Sequence, residues 1–170
     1  MRAGLDAGEF VPWFQPVVSL ADNSLAGYEA LARWQHNGRT LEPVAFLDVL
    51  LHSQWVTELD HAVVEPSVRA LAGQADHVFV SVNVTGLTLT RTDYSAHVRD
   101  CLSRLGVDPR RLHIEVTETM LINLDDAVMA QMIELADLGV RWYVDDFGTG
   151  YSAISHLRDM PVSGLKLDRS

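Results

Sequence analysis

The stretch Trp142–Ser152 reads WYVDDFGTGYS, so a short apolar run ends in two adjacent carboxylates, Asp145 and Asp146, before a glycine-containing turn. Like charges at the C-terminal mouth of a strand repel each other unless a cation neutralises them, so this arrangement suits a metal site. Taken alone, an Asp-capped polar loop accounts for the pair equally well. Other chemistry-bearing residues recur in similar settings. Glu29 lies in Tyr28-Glu29-Ala30-Leu31, Asn83 ends Ser81-Val82-Asn83, Glu115 opens Glu115-Val116-Thr117-Glu118, and Lys166-Leu167-Asp168 lies close to the C-terminus. Acids and amides repeated within or just beyond apolar strands imply convergence on one centre. The donors are oxygens throughout, which suits Mg2+ or Mn2+ better than zinc. None of the seven histidines forms a zinc-type pair, so packing or surface roles are expected for them. Glu115 and Thr117 share a strand face, which makes Glu115 the expected ligand and Glu118 a supporting or loop-anchoring group. Lys166 is the only lysine beside twelve arginines. A need for a compact ammonium and chance retention explain that equally well.

The elements that must position these residues follow from periodicity. Met1 to Glu9 reads as the end of a helix. Val11–Leu20 and Ala26–Trp34 read as a strand pair around an Asp22-Asn23-Ser24 turn. Pro43 starts a helix reaching about His52, and Val56–Ala72 is a second amphipathic helix that Pro66 interrupts. Strands are then expected at His77–Val84, Leu112–Val116, Val140–Asp145 and Gly164–Leu167. They alternate with helices at Tyr94–Leu105, Asp125–Leu138 and Ser152–Leu157. Such alternation implies parallel strands covered by helices. No G-x-G-x-x-G follows the first strand, which argues against an open dinucleotide-binding sheet. A (β/α) barrel instead builds its active site from the ends of many strands.

Composition narrows the function. A formal charge of −10 disfavours DNA or RNA as partners, because phosphate backbones need basic surfaces. No apolar run is long enough to span a membrane, no signal-peptide pattern opens the chain, and the single Cys101 fits a reducing cytoplasm. Asp146-Phe147-Gly148 matches a kinase triplet without the accompanying kinase loops, and no serine-hydrolase elbow occurs.

Together, Glu29-Ala30-Leu31 with Arg33-Trp34, Asn83, Glu115-x-x-Glu118, Asp145 to Ser152 and Lys166-x-Asp168 resemble the EAL-domain family of bacterial cyclic-di-GMP phosphodiesterases. The resemblance runs in order from about Gln15 to the last residue. It implies an α/β fold, a TIM-type (β/α) barrel. It further implies that Glu29, Asn83, Glu115 and Asp145 hold one Mg2+ or Mn2+ and that Asp146 helps to hold a second. Lys166 would position the attacking water and Asp168 would support it, making Lys166, Asp146 and Asp168 the catalytic set. Gln15, Leu31 and Arg33 would contact the dinucleotide, Arg33 through a planar fork suited to phosphate. The implied reaction opens cyclic-di-GMP to linear pGpG by two-metal catalysis. The alternative is an EAL-like module that binds cyclic-di-GMP or a protein without cleavage. Retention of Glu29, Asn83, Glu115, Asp145 and Asp146 favours the enzyme.

The chain departs from the family pattern at Ala32, at Tyr143 (usually small or aliphatic) and at Ser163-Gly164. A whole barrel of this type takes roughly 250 residues. The 170 residues are therefore expected to be a single partial EAL domain from a longer, multidomain protein. Two closing strands, with a glutamate base and a Q-G segment, would be missing, giving little hydrolytic activity. The exposed sheet edge, or the Gly148–Ser152 loop, would then promote homo-oligomers.

Overall fold

Valine, leucine and isoleucine concentrate in the central strands because those strands are covered on both faces. In the computed structural model, which describes residues 1–91, 93–121, 124–148 and 157–167, they build one mixed sheet. A short helix α1 (Arg2–Asp6) precedes the long hairpin of β1 (Phe10–Val18) and β2 (Leu25–His36). Next come β3 (Arg39–Leu41), α2 (Leu47–Leu51), α3 (Val56–Ala70), β4 (Phe79–Asn83), α4 (Gly86–Leu89) and α5 (Tyr94–Leu105). The chain continues through β5 (Leu112–Thr117), α6 (Glu118–Leu121), α7 (Asp126–Leu138), β6 (Arg141–Phe147) and β7 (Val162–Leu167). Strand order is β1-β2-β4-β5-β6-β7, antiparallel between β1 and β2 and parallel from β2 to β7, with β3 folded back antiparallel on β2. Among the described residues β1 and β7 do not pair, so the sheet is not closed.

Period-two alternation gives each strand two jobs. One face carries Ala30, Val80, Val82, Leu112, Ile114, Val116, Trp142 and Val144, all buried. The core formed there also takes in Val63, Val64 and Val68 of α3, Val98 and Leu102 of α5, and Met132 and Leu135 of α7. Trp142 satisfies its buried indole by donating Nε1 to the Met132 carbonyl at 3.0 Å. The opposite face holds the polar residues in layers. Beneath Glu29, Asn83, Glu115, Asp145 and Lys166 lies a layer of rings. Phe79 stacks on His113 at 4.0 Å between centroids, and His113 on Tyr143 at 4.9 Å. Gly27 pairs in register with Phe79, and Gly164 with Tyr143, at the two ends of the stack. A Cβ on Gly164 would stand 2.7 Å from Tyr143, so the unusual Tyr143 and the unusual Gly164 compensate each other in volume.

Four sequence expectations change. The helix expected from Pro43 to His52 is a 3-10 turn, Pro43–Ala45, and a separate α2, broken at Phe46. Phe46 is buried edge-on against Phe10 and Trp34, and that anchorage holds its backbone (φ −140°) out of the helix. β3 is an addition to the expected strands; the left-handed pair Asn37-Gly38 turns the chain back onto β2. Pro66 does not interrupt α3, which runs continuously through it. β6 extends past Asp145 to Phe147, because Asp146 adopts φ +54° and the pairing with β7 shifts register there. The helix expected at Ser152–Leu157 lies outside the described residues except for Leu157.

Candidate active site

Four parallel strands deliver the polar residues to one point. Carboxylate oxygens of Glu29 on β2, Glu115 on β5 and Asp145 on β6 lie within 4.8 Å of one another. Lys166 on β7 places Nζ among them, 2.7 Å from Glu115, 3.0 Å from Glu29 and 3.6 Å from Asp145. Asn83, at the end of β4, donates Nδ2 to Glu29 at 3.4 Å. Glu29, Asn83, Glu115 and Asp145 border a cleft of about 530 Å3 whose other wall comes from α2, α3 and the β4–α4 connection.

Burial pushes the Glu115 carboxyl above its usual range, and the neighbouring Glu29 charge adds to this, while the Lys166 ammonium pulls it back. Burial also works against the Lys166 charge, but hydrogen bonds and attraction from Glu115 and Glu29 outweigh it and raise the Lys166 pKa. One ammonium faces three carboxylates, leaving a formal balance of two negative charges. Together with the all-oxygen donor set, that balance fits a divalent cation of the Mg2+ or Mn2+ type. Among the described residues Lys166 is the cation paired with these acids. Lys166→Met should cost the metal-free chain about 2 kcal/mol, less than the roughly 3–5 of a fully buried pair because Lys166 is about one-third exposed. Chemical denaturation with and without Mn2+ checks this; the variant should gain more stability from the ion than the unaltered chain.

The remaining expected residues are placed less uniformly. Glu118 is buried as the first residue of α6 and accepts the Gly148 amide at 3.0 Å, so it holds the start of the segment after β6. Asp146 is exposed, at the register shift, and is not part of the three-carboxylate group. Gln15 pairs in register with Glu29, while Leu31 and Arg33 continue that face of β2 toward the rim. Asp168 and the residues from Thr149 to Ser152 lie outside the described residues.

Two residues beside these expected positions escape sequence reasoning. Trp13, the register partner of Leu31, is half exposed and lies under the Arg33 guanidinium at 5.6 Å. Only the exposed indole on a strand beside Gln15 signals this in the sequence. Asp60 of α3 lines the cleft, and desolvation pushes its carboxyl up to about 6, against hydrogen bonds from Thr88 and Thr85 that lower it. A raised carboxyl pKa favours the neutral acid in the folded chain. Its stabilisation is therefore complete below the unfolded value near 3.8 and is lost as pH rises through about 6. Relative to Asp60→Asn, the unaltered chain should gain roughly 2–2.5 kcal/mol on acidification from pH 7 to 4. Paired denaturation curves at the two pH values check this.

Comparison with known proteins agrees with this geometry. The EAL domain family profile matches residues 1–170. An uncharacterized protein of Mycobacterium tuberculosis is 35% identical over 173 residues, covering 98% of this chain and 56% of that protein. The cyclic di-GMP phosphodiesterase NbdA of Pseudomonas aeruginosa is 35% identical over 176 residues, covering 100% of this chain and 22% of NbdA. The solved complex of the PaMucR phosphodiesterase with c-di-GMP superposes with a TM-score of 0.89 at 31% identity, covering 99% of this chain and 70% of that one. The chain therefore spans about half, or less, of these two curated relatives. The parallel strands, the acids gathered at their ends and these matches together show that the chain belongs to the EAL-domain family.

Proposed function

We propose that this chain carries the metal-binding and nucleotide-binding part of a cyclic-di-GMP phosphodiesterase that yields linear pGpG. The observation that carries the reading is the convergence of Glu29, Glu115 and Asp145 around Lys166 from four separate strands. Glu29, Asn83, Glu115 and Asp145 would hold one Mg2+ or Mn2+, and Asp146 would contribute to a second. The chemistry supplied by such ions when bound is formation of hydroxide near neutral pH and neutralisation of charge on phosphoryl oxygens. Lys166 would orient the attacking water from its place beside Asp145, with Asp168 supporting it. Gln15, Leu31 and Arg33 would seat the dinucleotide along the β1–β2 wall, and Glu118 would hold the segment after β6 through Gly148. The cyclic dinucleotide is the proposed substrate because NbdA is named for that activity and PaMucR was solved with that ligand.

The test is incubation with cyclic-di-GMP and Mn2+ or Mg2+, with the products separated by chromatography. Accumulation of pGpG that stops on adding a chelator supports the reading. Failure of the chain to bind the dinucleotide, or binding without any cleavage by a protein that carries this chain together with closing strands, would exclude it.

The rim makes a second prediction. Arg33 would clasp a phosphate while its guanidinium rests on Trp13. Arg33→Ala should weaken dinucleotide binding by at least about tenfold, since a charged hydrogen bond is lost. Trp13→Ala should weaken it about 3-fold, the scale of an exposed cation–π contact. The double variant should bind no worse than Arg33→Ala alone. Calorimetric titration measures all three.

A further inference from the structure

We propose that Asp60, outside the acidic cluster, is a positioning residue that seats the Asn83 amide in the metal centre; the inference rests on the metal-centre reading above. Asp60 projects from the middle of α3, and a single oxygen, Oδ2, accepts three hydrogen bonds. The Thr85 amide donates at 2.9 Å, the Thr85 hydroxyl at 2.8 Å and the Thr88 hydroxyl at 2.5 Å. Among the described residues no arginine, lysine or histidine forms an ion pair with this carboxylate. His61 follows it on α3, and the buried Tyr94 of α5 has a phenol pKa raised by burial and further by the Asp60 charge. A carboxylate buried without a cation is costly, so its retention calls for a task that its hydrogen bonds perform.

Where those bonds lead identifies the task. Thr85 stands two residues beyond Asn83, and the intervening Val84 donates its amide to the carbonyl of Glu115 at 3.0 Å. The three-residue segment Asn83-Val84-Thr85 is therefore pinned on one side to a strand carrying one expected ligand and on the other to α3 through Asp60. Between these pins Asn83 must present its amide to Glu29, which it meets at 3.4 Å, the long end of the hydrogen-bond range. A displacement of a few tenths of an ångström at Thr85 would separate the two groups. Asn83 is exposed at the strand end, where β4 makes its last register pair, with Glu115, and the chain beyond it depends on the Val84 and Thr85 contacts. Asp60 thus does for Asn83 what carboxylates beside metal-ligating histidines do: it orients a ligand without touching the ion. The Asp60 side chain thus ties α3 to the segment that follows Asn83.

The experiment is Mn2+ binding by the full chain, followed by electron paramagnetic resonance of the free ion, with thermal unfolding recorded on the metal-free samples. Asp60→Asn is expected to weaken Mn2+ binding by about 10–100-fold, the range for a partner that orients a ligand. Thr85→Ser, which keeps both the amide and the hydroxyl, should bind nearly as well as the unaltered chain. In an Asn83→Ala background, Asp60→Asn should cause no further loss, because the group it positions is already gone. A merely structural Asp60 would produce the same proportional loss in both backgrounds, and that result overturns the inference, as does unaltered affinity in Asp60→Asn. If Asp60→Asn does not fold, Thr88→Val removes one of the three donors while keeping its shape and takes its place in the same comparison. Normal Mn2+ binding that is indifferent to these changes overturns this inference alone. Absence of Mn2+ binding by the unaltered chain overturns the metal-centre reading and this inference with it.

Discussion

Under the proposed phosphodiesterase function, Glu115→Gln should lower cyclic-di-GMP hydrolysis by roughly a thousandfold, about 4 kcal/mol in the barrier, while leaving the fold in place. Glutamine keeps the shape of the side chain and removes only its charge. Glu115 is the most buried of the three clustered acids, and its oxygen lies 2.7 Å from Lys166. With that charge gone, Glu29 and Asp145 are left against a single ammonium, and the formal balance falls from two negative charges to one. A divalent ion then has too little charge to meet, so Mn2+ affinity should fall together with turnover. The metal-free stability should change far less, because the burial that raises the Glu115 pKa already disfavours its charge. Product chromatography, Mn2+ titration and unfolding curves on the same preparation separate these effects. Hydrolysis within tenfold of the unaltered chain would show that Glu115 is not a ligand and that the chemistry resides elsewhere.

The second large effect is on stability and distinguishes two glycines that look equivalent. Gly27→Ala should cost about 3 kcal/mol or more, and Gly164→Ala about 1–2. A Cβ at Gly27 would stand 2.6 Å from both the ring and the backbone carbonyl of Phe79. A Cβ at Gly164 would meet only the Tyr143 ring, at 2.7 Å. A ring can be removed; a carbonyl in a parallel ladder cannot move without breaking the sheet. Tyr143→Ala should therefore relieve Gly164→Ala, giving a double variant more stable than the sum of the single changes predicts. Phe79→Ala should not relieve Gly27→Ala. For a chain of this size 3 kcal/mol corresponds to about 6–12 °C in melting temperature, so a thermal scan resolves the difference. Equal costs for the two glycines, or relief of Gly27→Ala by Phe79→Ala, would contradict the backbone argument.

Much of the site is legible in the residue pattern, and for a simple physical reason. Charged and amide residues are costly in apolar strands, so Glu29, Asn83, Glu115, Asp145 and Lys166 stand out against their neighbours. Strand alternation also makes Glu115 the expected ligand and sets Glu118 apart. The structure gathers the former with Glu29, Asp145 and Lys166, and sends the latter to the Gly148 amide. Asp60 is not legible, because Glu58, Asp60 and Glu65 look alike as helical acids. Only the packing of α3 against the β4–α4 connection makes one of them a buried acceptor. The break at Phe46 is equally hidden, since its cause is contact with Phe10 and Trp34 rather than local propensity.

By itself the sequence determined which residue types are available for chemistry, the run of strands and helices that carries most of them, and an all-oxygen set of donors of the kind that suits a divalent ion. Each of these depends on composition or on periods of two and 3.6 residues, which are local properties of a chain. Tertiary structure alone decided that one ammonium sits among three carboxylates, that Trp13 lies under Arg33, that Tyr143 is matched by Gly164, and that Asp60 reaches the segment beyond Asn83. Those pairings depend on strand register and on the packing of helices over the sheet. Both are set by how the whole core closes, and no local period records them.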